Sequence, residues 1–410
     1  MPIGIFSTAP ALTAANLVKP SFSQAITRLM PNGEAPLFGM TSRLQSETAV
    51  QVEHGFFTKT MLFPQVTTTS VTISTDTIIP VVSSANVLPG MLLRVNTGSF
   101  EQVLVNAIIS PTSIQIIRAV GTVVAAGIGS AIDLYQVGSA YEEGSLRPNA
   151  LNIVPVRVTN FTQIFRNTWA VTESMRATLM IAGDSNVQES RTDCMMFHAV
   201  DIEKALFFGQ KFQGTRNGQP FRTMDGLINI VGTLAYYPPS YAAVNVNTAG
   251  GTTNYTQLEG FLDVVFNQTT DAKVGNERVL FVGGVAKKVI TKIGRLLGTY
   301  QVLPQQTSYG MRYEQFAISR GTFNMIEHPL FNSNAAYGKM AVAVDLSTFR
   351  IAYLGNRKTQ YKGFNTPGEE DAADNGIDAE GGTLTTECTA VVKNPPANAV
   401  IYNLTDGAVG

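Results

Sequence analysis

The chain has 410 residues, of which 29 are basic and 30 acidic, and 44% are hydrophobic. Charged residues reach only 14%, against about 25% in ordinary soluble proteins, so a disordered chain is excluded and a sizeable core is expected. The net charge of −1 supplies no global basic field for nucleic acid. Only Cys194 and Cys388 are present, too few for a disulfide framework. A surface so poor in charge fits a protein that covers itself with copies of itself, because charge is depleted at interface cores. It also fits a secreted β-rich protein.

Residues 1–43 carry Pro10, Pro20, Pro31 and Pro36 and little periodicity. They are expected to form an extended arm with at most a short helix at 22–29, ordered against something outside its own core. No Lys or Arg precedes Lys19, so the basic start of a signal peptide is not expected. The sequons at Asn160, Asn254, Asn267 and Asn403 then read as coincidence in a Thr-rich chain, and a reducing compartment fits. The most apolar run, residues 119–132, is broken by three glycines and is shorter than the roughly 20 residues a spanning helix needs.

Residues 49–62 have β character. Short strands are expected at 70–74, 77–82, 91–95, 101–109, 113–119 and 131–137, divided by Pro89-Gly90, Asn96-Thr97-Gly98 and Ser110-Pro111. This spacing predicts a small antiparallel barrel or sandwich, inserted into a long hairpin of 49–62 with 153–164.

Residues 185–211 place Cys194, Met195, His198, Ala199, Ile202, Ala205 and Leu206 on one apolar stripe, with Glu189, Glu203 and Lys204 off it. The result is one long helix, roughly 40 Å at 1.5 Å per residue. The charge-free stretch 226–258 reads as loop. A second helix at 256–267, a strand at 278–282, a helix at 285–297 stopped by Gly298, and strands at 314–319, 322–327 and 339–345 follow. Strands at 350–354, 384–393 and 398–404 close the chain, and the mix of elements reads as α+β or α/β.

A search for chemistry returns no HExxH, CxxC, GxSxG, Walker A or GxGxxG motif. The run ending in Gly283-Gly284 before a helix reads as a tight turn in preference to a phosphate cradle. His54, His198 and His328 fall in three regions. His198 and Cys194, both on the stripe, read as core or interface residues in preference to a nucleophilic pair. The acidic cluster Glu369, Glu370, Asp371, Asp374, Asp378 and Glu380 lacks the ligand spacing of a calcium loop and reads as a solvated loop. Basic residues never exceed the pair Lys287-Lys288 in sequence. No catalytic, cofactor-binding or metal-binding residue is assigned, no cofactor is expected, and the chain is not expected to be an enzyme.

The order of parts resembles the major capsid proteins of tailed bacteriophages, the Hong-Kong-97-type fold. The local likeness lies in GMTSRLQSETAVQVEHGFF (39–57), VGSAYEEGSLRPNALNIVPVRVTNFTQIFRNTWAVTESM (137–175) and EKALFFG (203–209). IIRAVGTVVAAGIGSAIDLYQVG is similar to the small β-barrel carried in the hairpin of one branch.

The resemblance implies an N-terminal arm (1–43), an extended loop (44–63 and 141–165), an inserted β-domain (64–140), a peripheral domain (166–223 and 346–410) and an axial domain (224–345). It implies self-assembly into the hexamers and pentamers of an icosahedral shell around double-stranded DNA, touched non-specifically on the inner face. Implied partners are a portal and, because the chain ahead of the hairpin is too short for a fused scaffold, a separate scaffolding protein, if any. A decoration protein is compatible, and a membrane is not implied. The location is the virion capsid, assembled in the host bacterial cytoplasm. The alternatives are a protein-only nanocompartment shell of the same fold and a secreted β-rich binding protein or hydrolase.

Overall fold

The computed structural model describes residues 35–59, 65–96, 100–150, 155–178, 185–237, 243–267, 276–296, 306–308, 311–364 and 378–408. The expected helix at 22–29 lies outside them. Phe57–Val156 forms one compact unit, and the chain before and after it forms the other.

The described chain begins with helix α1 (Pro36–Arg43), which corrects the expectation of irregular arm up to residue 43. Pro36 sits in the first turn, where the missing amide would have had no helical partner, so it starts the helix instead of breaking it. Strands β1 (Glu47–Ala49) and β2 (Glu53–Thr58) follow. The single strand expected at 49–62 is interrupted at Val50, 89% exposed.

The inserted unit holds β3 (Gln65–Thr67), β4 (Ile78–Pro80), β5 (Met91–Val95), β6 (Gln102–Ser110), β7 (Ser113–Ile117) and β8 (Asp133–Ser139), ordered β3-β8-β5-β6-β7-β4. The two end strands meet. Thr69 N–H donates to the Pro80 carbonyl at 3.0 Å and Val82 N–H to the Thr67 carbonyl at 2.9 Å, closing a barrel over Val66, Ile79, Leu93, Val103, Ile114 and Leu134. The strand expected at 70–74 is absent. The Asp76 carboxylate takes the Ile73 amide at 2.8 Å in a local turn, and only Thr72 bridges, to Ile128.

The main unit resumes with β9 (Val156–Phe161), which pairs with β2, and β10 (Gln163–Thr172). The strand expected at 153–164 is therefore two, and the second runs eight residues further. Then come α2 (Glu173–Ala177), α3 (Asn186–Phe208), β11 (Phe212–Arg216), β12 (Gln219–Thr223), α4 (Leu227–Val231), β13 (Val246–Thr248), β14 (Thr252–Thr253) and α5 (Tyr255–Asp263). Of the described residues in the stretch 226–258 that was expected to be loop, Leu227–Val231, Val246–Thr248, Thr252–Thr253 and the start of Tyr255–Asp263 are helix or strand. Their lack of charge reflects burial of Leu227, Ile230 and Val231.

The remaining elements are β15 (Glu277–Val282), α6 (Gly284–Leu296), β16 (Gln306–Ser308), β17 (Met311–Ile318), β18 (Gly321–Glu327), β19 (Ala341–Val344), β20 (Phe349–Leu354), β21 (Gln360–Phe364), β22 (Ala379–Val392), β23 (Ala399–Tyr402) and β24 (Asp406–Gly407).

Two sheets organise this mixed α+β unit. In the first, ordered β1-β20-β22-β10 with β21 also on β22, β10 and β22 run antiparallel from Gln163↔Cys388 to Thr172↔Ala379. Helix α3 lies on one face of it. The second is seven-stranded, β13-β23-β19-β15-β18-β17-β16. It is packed by Leu258 and Leu262 of α5 and by Ala286, Val289, Ile290 and Ile293 of α6. A larger core joins α3, α4 and both sheets through Phe207, Phe281, Phe331 and Phe349.

Candidate interaction surfaces and the polar centres that hold them

Helix α3 is capped by Ser185, whose hydroxyl accepts the Gln188 amide at 3.1 Å. Cys194, His198, Ile202 and Leu206 are buried as the stripe requires, whereas Met195 is 46% exposed. Glu203, expected off the stripe, is fully buried. Its Oε1 accepts the Leu37 amide at 2.9 Å and its Oε2 the Phe38 amide at 2.7 Å, the first free amides of α1, where a negative charge is favoured. His328 Nε2 stands 2.8 Å from Oε1. Because His328 Nδ1 accepts the Leu330 amide at 3.2 Å, Nε2 carries the proton and donates it. The ring stacks on Phe331 (4.5 Å between centroids) and meets Phe207 edge-on at 4.9 Å. One carboxylate thus ties α1, α3 and the exit of β18 together.

A second centre roots the β2–β9 ribbon. Asn160 is buried. Its amide donates to the Asp225 carbonyl at 3.0 Å and the Ala390 carbonyl at 2.9 Å, and its Oδ1 accepts the Asp225 amide at 2.7 Å. This sequon is wholly used by the fold. Burial pushes the Asp225 carboxyl upward against hydrogen bonds from Asn229 and the Lys211 amide. Lys211 Nζ donates to Thr159 O at 2.8 Å and Oγ1 at 2.7 Å, lies over the Phe161 ring, and is 3.7 Å from Glu53. Gly55 is required where the strands meet, since a Cβ there would lie 2.6 Å from the Val158 carbonyl oxygen. The ribbon presents Phe57, 70% exposed.

The other residues weighed for chemistry are dispersed. His198 Nδ1 is 2.7 Å from Asn167 Oδ1 and Nε2 is 2.7 Å from Thr386 Oγ1, so neither nitrogen is left to activate the Cys194 thiol. Burial raises that thiol's pKa and pushes Cys388 up to about 12, so both side chains behave as buried apolar groups. His54 lies 3.5 Å from Glu47, which Lys393 also approaches at 2.5 Å. Glu369, Glu370, Asp371 and Asp374 lie outside the described residues, and Glu380 is 3.3 Å from Arg176. Among the described residues no group of three or more His, Cys, Asp or Glu side chains could hold a metal ion, and no helix is long and apolar enough to cross a membrane.

At the glycine turn, Gly283 backs directly on Gly338, where a Cβ would come within 2.5 Å. Gly284 N–H donates to Asn332 Oδ1 at 2.6 Å, so the amide that a phosphate would need is taken. Beside that turn, an open groove of about 930 Å³ follows α6 past Lys287, Lys288, Lys292 and Arg295. The adjacent pair Lys287-Lys288 is joined on one helical face by Lys292 and Arg295, four and seven residues on from Lys288. Glu314 (3.3 Å) and Glu327 (3.6 Å) offset Lys287, and Asp406 (2.6 Å) offsets Lys292.

In the inserted unit, Arg118 grips the buried Glu101 with two bonds, Nε to Oε1 at 2.8 Å and NH2 to Oε2 at 2.7 Å. The amides of Ala119 and Ala126 complete the carboxylate. Burial alone would raise Glu101, but these partners hold it below the usual value.

A family model described as SU10 major capsid protein matches residues 6–405. A curated "Major capsid protein" of Pseudomonas phage PaMx41 is 38% identical over 415 residues, covering 98% of this chain and 96% of its own. Among solved structures, the capsid of a native GTA particle has a TM-score of 0.46 at 9% identity, covering 98% of this chain and all of its own. Mycobacterium phage Bobi gives 0.43 at 11% identity, with 98% of this chain and 100% of its own covered.

Proposed function

Since the chain belongs to the SU10 major capsid protein family, we propose that it builds a phage head by tiling hexamers and pentamers into a closed icosahedral shell of Hong-Kong-97 type. Membership along nearly the whole length is the observation that carries this reading. A phage capsid relative at 38% identity favours it over the protein-only compartment and the secreted protein.

The roles of the parts follow as proposals. Residues 1–43 are the arm, and 44–63 with 141–165 the loop that lies over a neighbour. Residues 64–140 are the inserted domain, 166–223 with 346–410 the peripheral domain, and 224–345 the axial domain around capsomer centres. The two-stranded β2–β9 ribbon with exposed Phe57 supports the second role, because a ribbon of two strands gains stability from a surface beneath it. Portal, separate scaffolding protein, decoration protein and packaged DNA are proposed partners, the host bacterial cytoplasm is the proposed place of assembly, and no catalytic step is assigned.

The test is electron microscopy and size-exclusion chromatography of the purified chain. Capsomers or closed shells are expected, and a monodisperse monomer at high concentration would overturn the reading.

A further inference from the structure

Charge is scarce in this chain, yet four of its 29 basic residues fall within residues 287–295 of α6. The helix is divided lengthwise. Ala286, Val289, Ile290 and Ile293 are buried on the seven-stranded sheet, while Lys288, Lys292 and Arg295 are exposed. At about 100° and 1.5 Å per residue, these three cations span an arc of about 60° and a length of about 10.5 Å. They form one row along the open groove.

The row is only partly neutralised. Glu314 and Glu327 lie against Lys287, and Asp406 against Lys292. Among the described residues neither Lys288 nor Arg295 pairs with a carboxylate, so a cation stands free at each end of the row. The rest of the lining decides the class of anion. Among the described residues no aromatic ring lines the groove. A protein partner would therefore lack the aromatic anchors that dominate protein interfaces, and unstacked bases would lack a platform. The one side-chain amide in the lining is spent, since Asn332 Oδ1 takes the Gly284 amide and its Nδ2 donates to Glu327 at 2.9 Å. What remains is a row of point charges. A DNA duplex carries one phosphate charge per about 1.7 Å of its axis, or about six over the length of the row.

We propose that this face of α6 binds the phosphate backbone of double-stranded DNA without regard to sequence, Lys288 and Arg295 making the contact. The net charge of the chain supplies no global basic field, and this row supplies a local one. The identity of the partner rests on the reading of the chain as a shell around DNA, whereas the site rests on the groove.

The test titrates the full-length chain, before shell assembly, into a labelled duplex of about 30 base pairs over a range of salt, read by fluorescence anisotropy. Two duplexes of unrelated sequence are expected to give the same curve. Each phosphate contact adds about −0.9 to the slope of log affinity against log salt. Lys288→Ala with Arg295→Ala is expected to flatten the slope by about 1.8 per engaged chain and to weaken binding at low salt by at least about tenfold. The charge-keeping pair Lys288→Arg with Arg295→Lys is expected to keep the native slope. So is Lys358→Ala with Lys362→Ala, which removes two exposed cations elsewhere. Trp169 fluorescence is expected to report the same fold in all three variants. No binding by the native chain, an unchanged slope in the Lys288/Arg295 alanine variant, or an equal loss in the Lys358/Lys362 variant would overturn the proposal. Tighter binding of a peptide of residues 366–381, which carries the chain's own acidic cluster, than of the duplex would also overturn it. Microscopy of the same samples keeps the two readings apart: shells without DNA binding overturn this inference alone, and a monomer that binds DNA through α6 overturns only the shell.

Discussion

Replacing Glu203 with alanine strands three donors in the core: the amides of Leu37 and Phe38 and His328 Nε2–H. Removing one partner of a buried charged network costs about 3–5 kcal/mol. The expected result is a lower urea midpoint followed by the fluorescence of Trp169, the sole tryptophan, which is buried against α3. His198 makes a pH prediction. Burial lowers its pKa, partly offset by Asp201, and the folded chain holds a neutral ring whose Nδ1–H is donated to Asn167. The unfolded chain therefore takes up protons first. The stabilising share of His198 is complete above about pH 6.5 and is lost as pH falls through the lower folded value. His198→Gln should make the loss of stability below that pH shallower in thermal melts, and an unchanged profile would count against this reading. His198 was legible as a core residue because it sits on the apolar stripe. Glu203 was not, because what buries it comes from residues 37 and 328, and helical periodicity carries no information about partners so distant in sequence.

Among the elements, the β11–β12 hairpin makes the sharpest prediction. Asn217 and Gly218 both have positive φ, 52° and 73°, the geometry of a tight two-residue hairpin turn. Gly218→Val should speed amide hydrogen exchange across residues 212–223 and leave the global midpoint nearly unchanged, since most of the hairpin is exposed. The Asn-Gly pair was readable, but its flanks lack the apolar alternation that marks strands, so the hairpin was not expected. Strand β22 was visible only from residue 384 onward. Its first half contains Gly381 and Gly382, poor strand formers that are present because Phe364 and Tyr361 would lie 2.2 and 2.4 Å from a Cβ there. Long helices with clear stripes were legible, while strands defined by distant partners were not.

For the whole molecule, the inserted unit has its own core and a closed hydrogen-bond circuit. Residues 57–156 expressed alone should unfold in one cooperative transition by circular dichroism, and a gradual, non-cooperative melt would contradict that autonomy. The insertion was legible as a run of short strands between turn signals, although its first strand, β3, escaped notice at three residues long. The meeting of α1, α3 and the exit of β18 on Glu203 has a hereditary consequence. A single base change converts a glutamate codon to Asp, Gly, Ala, Val, Lys or Gln. Aspartate is one methylene too short to span both amides, glutamine brings an NH₂ where donors already point inward, and the others offer no acceptor. Divergence at this spot therefore requires coordinated replacement at 203 and 328, a barrier that most surface positions of the chain never meet.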